Sequence, residues 1–302
     1  MPERVAYING KMVPESQATV SIFDRGFLFG DVGYDVGRTF AHKPFKLEAH
    51  TARLLRTLKY MRIDPGLSAE EISKLTLQVI EANLPLLDPQ EDYTFHQRVS
   101  RGLYTTDNPL AGGPATVILY CQPVKFASFA RGYTEGIHLV TPSVRRTPPQ
   151  CIDPRVKIHN KANHILADIE AKLVDPKAYS LMLDVNGHLA ENSSANVFLV
   201  REGKLLTPGK LFVLEGISRE MVFKLARDLG IPIEEGELTP YDLYMAEEAF
   251  LTTTSPCILP ASKVNGVPLP RKVPGPITQK LLSAWSALVG VDIVQQALRH
   301  LK

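Results

Sequence analysis

The sequence predicts an α+β protein in two parts, a smaller N-terminal α/β domain and a larger, β-rich C-terminal domain. Three observations carry this reading. Strand-like and helix-like segments alternate, but without the regular strand–helix–strand rhythm of a doubly wound parallel sheet. Asn-Gly pairs at 9–10, 186–187 and 265–266 each separate two short apolar runs, the mark of a tight antiparallel hairpin. Residues 122–135 carry Pro and Gly and have no clear period, as a connection between domains does. The expected division is a small domain over 1–121, a linker over 122–135 and a large domain over 136–302.

In chain order, Val5-Ala6-Tyr7-Ile8 and Lys11-Met12-Val13 flank the first Asn-Gly turn. Helical apolar spacing runs from Leu47 to Leu58 and recurs in 69–83, 162–173 and 217–229, the last closed by Gly230 with Pro232 beyond. Stretches 93–100, 115–121, 137–141, 195–200 and 247–252 read as strands. There is no internal repeat and no low-complexity tract.

The bulk numbers exclude several classes of function. A chain of 302 residues can bury a sizeable core. A net charge of +2, with no basic run interleaved with aromatics, provides no field for nucleic acid. No apolar stretch approaches the ~18 residues that would span a bilayer. Met1-Pro2-Glu3-Arg4-Val5 lacks the apolar core of a signal peptide. Cys121, Cys151 and Cys257 are too few and too far apart for a disulfide framework or a zinc site. The expected setting is soluble and cytoplasmic, with no metal.

Familiar catalytic motifs are missing as well. The sequence has no Gly-x-Gly-x-x-Gly, no phosphate-loop Gly-Lys-Ser/Thr, no His-Glu-x-x-His and no Gly-x-Ser-x-Gly. What remains is a set of weak signals in a particular order. Lys157 stands in Lys157-Ile158-His159-Asn160, ahead of the helix at 162–173. Glu191 follows 34 positions later in Ala190-Glu191-Asn192-Ser193-Ser194-Ala195-Asn196. Leu214-Glu215-Gly216-Ile217-Ser218-Arg219 opens a helix whose first N–H groups can face an anion. Phe250-Leu251-Thr252-Thr253-Thr254-Ser255 ends a strand in hydroxyls, and Arg53, in His50-Thr51-Ala52-Arg53-Leu54, offers a fork suited to a phosphate.

Singly these are an ordinary lysine, a strand-end acid, a capped helix and a surface arginine. In this order and spacing, over residues 24–260, they resemble the fold type IV family of pyridoxal-phosphate (PLP) enzymes. That family includes branched-chain aminotransferases, D-amino acid transaminases, (R)-amine transaminases and aminodeoxychorismate lyase. The resemblance implies a two-domain fold type IV transaminase that uses PLP in a ping-pong exchange between an amino donor and a 2-oxo acid. It makes Lys157 the lysine that bonds to the cofactor aldehyde and Glu191 the partner of the pyridine nitrogen. It gives Arg53, Gly216, Ile217, Ser218 and Thr254 to the phosphate and Leu214 to the ring, and it implies a homodimer. Asn192 departs from the family, which usually has Gly after that glutamate; Asn tolerates the left-handed backbone better than most residues, so the turn can survive.

The substrate is read from other segments. Asp24-Arg25-Gly26-Phe27-Leu28-Phe29-Gly30-Asp31-Val32-Gly33-Tyr34-Asp35-Val36 resembles the D-amino acid and (R)-amine branches more than the branched-chain branch. The latter tends to have Tyr at Phe29 and Phe-Glu-Gly at Tyr34-Asp35-Val36, although Arg38 sits where branched-chain enzymes carry a basic residue. Ser100-Arg101-Gly102 is followed by Thr106-Asp107-Asn108, so the Arg-x-His carboxylate trap of D-amino acid enzymes is missing. His96 and Arg98 share one face of their strand, where Arg98 can bind a carboxylate. Substrate contacts are therefore expected from Phe29, Tyr34, Arg38, His96, Arg98 and Ser255. D-amino acids with 2-oxo acids are the first expectation, with branched-chain L-amino acids and (R)-amines next. A lyase of the aminodeoxychorismate type, releasing pyruvate without a 2-oxo acid acceptor, is the further alternative.

Overall fold

The computed structural model describes residues 3–301, which fall into two compact units. The first unit runs to Val124 and also takes the short segment Val156–Asn160; the second takes Lys125–Arg155 and the chain from Lys161 onward.

The first unit contains β1 (Val5–Ile8), β2 (Lys11–Pro14), α1 (Arg25–Phe29), β3 (Val32–Phe40), β4 (Lys43–Pro44), α2 (Leu47–Met61), α3 (Ala69–Asn83), β5 (Tyr93–Ser100) and β6 (Thr116–Pro123). Its strands form one antiparallel sheet in the order β2-β1-β6-β5-β3-β4. At the β1–β2 turn Asn9 and Gly10 have φ of 46° and 89°, the left-handed pair that a two-residue hairpin needs. Helix α3 starts at a reciprocal cap in which Ser68 Oγ accepts from the Glu71 N–H and the Glu71 carboxylate accepts from the Ser68 N–H. Helices α2 and α3 cover one face of the sheet, burying Leu54, Leu58, Ile72, Val79 and Ile80 against Phe95, Val99, Val117, Leu119 and Cys121.

Register decides what reaches that core. Tyr34 pairs with Arg98, Val36 with His96, Asp35 with Gln97 and Gly37 with Phe95. Paired residues lie on the same face and successive residues on opposite faces. Asp35, Gly37, Phe95 and Gln97 therefore point toward the helices, whereas Tyr34, Val36, His96 and Arg98 line the opposite face with Tyr120 of β6. Strand β3 escapes sequence reading because Gly33, Asp35, Gly37 and Arg38 break the expected apolar alternation.

The second unit contains α4 (Gly132–Glu135), β7 (Ile137–Val140), α5 (Ala162–Val174), β8 (Tyr179–Ser180), β9 (Asn196–Arg201), β10 (Lys204–Pro208), α6 (Ile217–Asp228), β11 (Ile233–Gly236), α7 (Pro240–Tyr244), β12 (Glu248–Thr253), β13 (Cys257–Val264), β14 (Val267–Pro268), α8 (Pro276–Val289) and α9 (Ile293–Leu298). Its eight-stranded mixed sheet follows β11-β10-β9-β12-β13-β7-β8, with β14 paired to β13. The outer pairs β10–β11, β13–β7 and β7–β8 are parallel, and the central ones antiparallel. Val197, Phe198, Leu199, Phe250 and Ile258 are inaccessible, and helices α6 and α8 pack on this sheet.

The aperiodic stretch read as a linker is built differently. The first unit closes at Val124, and from Lys125 the chain belongs to the second. Phe126, Phe129, Ala130 and Tyr133 are buried, through one 3-10 turn at Phe126–Ser128 and then α4. Their spacing is helical, but Pro123 and Gly132 on either side read as breakers. Among the described residues no helix is long and apolar enough to cross a membrane.

Phe95 lies directly over Gly37, where an added Cβ would come within 2.0 Å of its ring. Gly37→Ala should therefore destabilise the protein by about 1–3 kcal/mol through overpacking, read as a lower urea midpoint at unchanged m-value. An unchanged midpoint would mean that this sheet face is looser than described.

Candidate active site

In the first unit the segment Val156–Asn160 lies alongside the start of β3. The Tyr34 N–H donates to Lys157 O at 3.0 Å, the His159 N–H donates to Val32 O at 3.1 Å, and Gly33 pairs with Ile158. From the other side the Lys157 N–H donates to Thr57 Oγ1 of α2 at 3.1 Å. These bonds fix Lys157 with its Nζ 4.7 Å from the centroid of the Tyr34 ring, while the His159 ring meets Tyr34 edge-on at 4.7 Å.

Arg98 joins the same cluster. Its Cζ is 5.4 Å from the Tyr34 centroid, its Nε donates to Tyr120 Oη at 2.8 Å, its Nη1 donates to His159 Nε2 and its Nη2 approaches His96 Nδ1 at 3.4 Å. His96 stacks flat on Tyr120, with centroids 4.4 Å apart. Burial, reinforced by the neighbouring Arg98 cation, pushes the His96 imidazole down to about 3, so it is neutral at ordinary pH. No carboxylate is among the partners of Arg98 in the described residues.

The other residues expected at the substrate are placed differently. Arg38 is 2% exposed; its Nη2 pairs with Asp92, its Nε donates to Thr39 O and its Cζ lies 4.0 Å over Phe40. That pairing places a cation beside the fully buried Asp92. Phe29 is exposed at the end of α1, edge-on to Tyr104, and Ser255 lies in the β12–β13 turn.

In the second unit, Glu191 is 5% exposed and organises its surroundings. Its Oε1 accepts from Arg146 Nε at 2.9 Å, and its Oε2 accepts from the Leu214 N–H at 2.9 Å and from Asn196 Nδ2 at 3.2 Å. Asn196 Nδ2 also donates to Leu214 O at 3.0 Å. Gly216 is the N-cap of α6 and supplies no side-chain cap, so Ile217 and Ser218 open the helix with their N–H groups turned outward. A Cβ at Gly216 would come within 2.2 Å of Asn196 Oδ1, and this close approach requires glycine there. Thr254 lies in the β12–β13 turn.

Asn192 keeps its turn by another route than the left-handed backbone expected of it. It is absent from the residues of positive φ; instead its N–H donates to Ala195 O, its Oδ1 accepts from the Ser194 N–H and its Nδ2 donates to Ser180 O. Sequence reading also left Tyr120, His159, Arg146 and Asn196 unassigned. Tyr120 was accessible only through its register opposite His96, and Arg146 only through the folded path of its loop.

The sequence profile for amino-transferase class IV matches residues 33–264. The chain belongs to the class IV aminotransferases. A Methanocaldococcus jannaschii protein that carries the name branched-chain-amino-acid aminotransferase is 34% identical over 91% of this chain and 93% of that relative. The D-alanine aminotransferase of Bacillus licheniformis is 26% identical over 91% of this chain and 94% of its own. Among solved structures, a T.th. branched-chain amino acid aminotransferase with pyridoxamine 5′-phosphate matches with a TM-score of 0.85 at 26% identity, covering 96% of this chain and 95% of that one. The protein is thus a PLP-dependent aminotransferase of two-domain fold type IV.

The residues of this aminotransferase fit that cofactor. A helix start without a side-chain cap suits a phosphate, and a buried carboxyl group paired with a guanidinium suits a pyridinium nitrogen. Arg53, expected at the phosphate, directs its Nε and Nη2 to Asp35, at 2.7 and 2.8 Å. A phosphate contact for it remains a proposal.

Asp35 is fully buried and also accepts from His50 Nδ1 at 2.7 Å. Burial alone would raise its carboxyl, but Arg53 and His50 outweigh this and hold it well below the usual range. Burial lowers the His50 imidazole, against the pull of Asp35. Both shifts act in one direction. The unfolded chain binds protons that the folded one refuses, so stability is complete above the ordinary His value of 6.5 and falls as pH drops through it and then through 3.8. Arg53→Ala should destabilise the protein by about 3–5 kcal/mol by stranding a buried carboxylate. In urea titrations the double variant Asp35→Leu/Arg53→Met should recover most of that loss; equal losses in both would show that the pair is replaceable packing.

Proposed function

We propose that this aminotransferase exchanges the amino groups of branched-chain L-amino acids with 2-oxo acids by a ping-pong mechanism. The carrying observation is Arg98, a half-buried guanidinium that meets Tyr120, His159 and His96 and, among the described residues, no carboxylate, beside the rings of Tyr34 and Tyr120. Such a cation is an anchor for a substrate carboxylate. Arg98 serves a D- or an L-amino acid equally, so the side-chain preference rests on the relatives. The relative named for branched-chain amino acids is 34% identical, against 26% for the one named for D-alanine. D-amino acids therefore move to second place.

Bound PLP supplies an aldehyde that takes up the amino group and a ring that accepts the electron pair of the substrate carbon. With PLP bound, Lys157 would hold the aldehyde and, as an amine, would serve as base toward the substrate α-carbon. Glu191 would meet the pyridine nitrogen, and the open N–H groups of Gly216, Ile217 and Ser218, with Thr254, would hold the phosphate. Leu214 would pack on the ring, and Arg98 would bind the substrate carboxylate.

We place the enzyme in the cytoplasm as a homodimer. Support for the dimer is the solvent face of α5, where Ile165, Leu166, Ile169 and Leu173 are each at least half exposed, an apolar stripe of the kind that other chains cover. Three free cysteines, two of them buried, are consistent with a reducing compartment.

Two measurements test the reading. Single-turnover spectra with L-leucine, D-alanine and (R)-1-phenylethylamine should show L-leucine reacting fastest; a faster D-alanine reaction would reinstate the D-specific alternative. Arg98→Ala should slow both amino acids at least tenfold and spare the carboxylate-free amine, since a desolvated ion pair is worth about 3–5 kcal/mol when one partner is removed. Equal losses on all three substrates would make Arg98 structural. Borohydride should fix PLP on Lys157; an adduct mapped to another lysine would remove it from this role.

A further inference from the structure

Glu191 is a nearly complete hydrogen-bond site. A carboxylate offers about four acceptor positions, two on each oxygen. Both positions of Oε2 are filled, by the Leu214 N–H at 2.9 Å and Asn196 Nδ2 at 3.2 Å. On Oε1 there is one donor, Arg146 Nε at 2.9 Å. The side chains are 7% and 11% exposed, so bulk water does little for either. The Arg146 backbone is fixed as well, its N–H donating to Leu183 O at 2.9 Å.

We propose that Arg146 is a positioning residue for the transamination: by occupying one side of Oε1 it aims the remaining acceptor position of Glu191 at the cofactor's pyridine nitrogen. The inference rests on the reading that Glu191 meets that nitrogen. The two donors on Oε2 pin one oxygen but leave the carboxylate balanced by no formal charge. Arg146 brings that charge, with its Nε 2.9 Å from Oε1. It approaches through Nε, with the guanidinium plane set by the backbone on which it stands. A lysine would restore the charge without that fixed geometry.

The test compares wild type, Arg146→Met, Arg146→Lys, Glu191→Gln and the double variant Arg146→Met/Glu191→Gln. Each apoenzyme is titrated with PLP, and the ring-nitrogen resonance of 15N-labelled PLP is recorded in each complex. Arg146→Met should weaken PLP binding about tenfold, the scale of one charge-assisted hydrogen bond, and move the nitrogen resonance toward the unprotonated ring. Arg146→Lys should recover part of both. Because Arg146 acts through Glu191, the double variant should bind PLP no more weakly than Glu191→Gln alone. Additive losses, or a wild-type resonance in Arg146→Met beside a displaced one in Glu191→Gln, would overturn the role of Arg146. An undisplaced resonance in Glu191→Gln itself would instead remove the reading of Glu191, whatever Arg146 does. Should Arg146→Met not fold, Arg146→Lys carries the same comparison with a smaller loss.

Discussion

The pairing of Tyr34 with Arg98 is the constraint on which the first unit depends. Alternation along paired strands sends Tyr34, Val36, His96 and Arg98 to one face and Gly33, Asp35, Gly37, Gln97 and Val99 to the other. A slip of one residue would drive Arg98 into the helices and expose Phe95. Hydrophobic burial opposes the slip through Phe95 and Val99 of β5, but β3 is poor in large apolar residues on its helix side. Polar matching forbids it. Asp35 is met by Arg53 and His50, Gln97 Nε2 donates to Thr51 and Thr76, and Gly37 leaves room for the Phe95 ring. A slipped register would strand a carboxylate and an amide in the core, each at a cost of kilocalories per mole. The buried network thus fixes the position of the opposite face, which carries Tyr34, His96 and Arg98.

Glu191 has the corresponding place in the second unit, but there one side chain gathers several loops. Arg146 precedes α5, Asn196 begins β9, and Leu214 leads into α6. All three converge on one carboxylate. Asn196 adds a link of its own, since its amide bonds Leu214 O and its Oδ1 presses on Gly216. The start of α6, and with it the N–H groups available to an anion, is therefore located by the same residues that set the direction of Glu191. Coupling of this kind makes the local geometry cooperative: loosening one partner loosens both ends.

Much of this was legible in the sequence where a local rule applies. The three Asn-Gly turns, the helices from Leu47, Ala69, Ala162 and Ile217, and the strand at 93–100 come from period and turn chemistry. The common face of His96 and Arg98 follows from alternation along β5. What escaped depends on partners far apart in the chain. Arg53 and Arg38 read as ligand-binding cations, and the sequence does not display the buried acids they also meet, Asp35 and Asp92, 18 and 54 residues away from them. Asp35 itself stood in a stretch read for its likeness to substrate-binding segments, so its role in the core was hidden. The run 122–135 reads as a linker because its Pro and Gly signals outweigh a helical apolar spacing confined to four residues, and from Lys125 the chain belongs to the second unit.

The same reasoning limits what a local likeness says of the substrate. The stretch from Asp24 to Val36 resembles D-amino acid and (R)-amine enzymes chiefly at Phe29 and Tyr34. In this structure Phe29 is exposed and packs on Tyr104, while Tyr34 lies between Lys157 Nζ, His159 and Arg98. The ring at position 34 therefore answers to the cations and the imidazole around it, particularly His159, which also accepts from Arg98. A residue selected by such neighbours carries little information about the hand of a substrate. Handedness depends on which pocket takes the carboxylate and which the side chain, a property of the whole site. Identity over the full chain samples that site more completely than a segment of thirteen residues, and it is on that scale that the branched-chain relatives are the nearer.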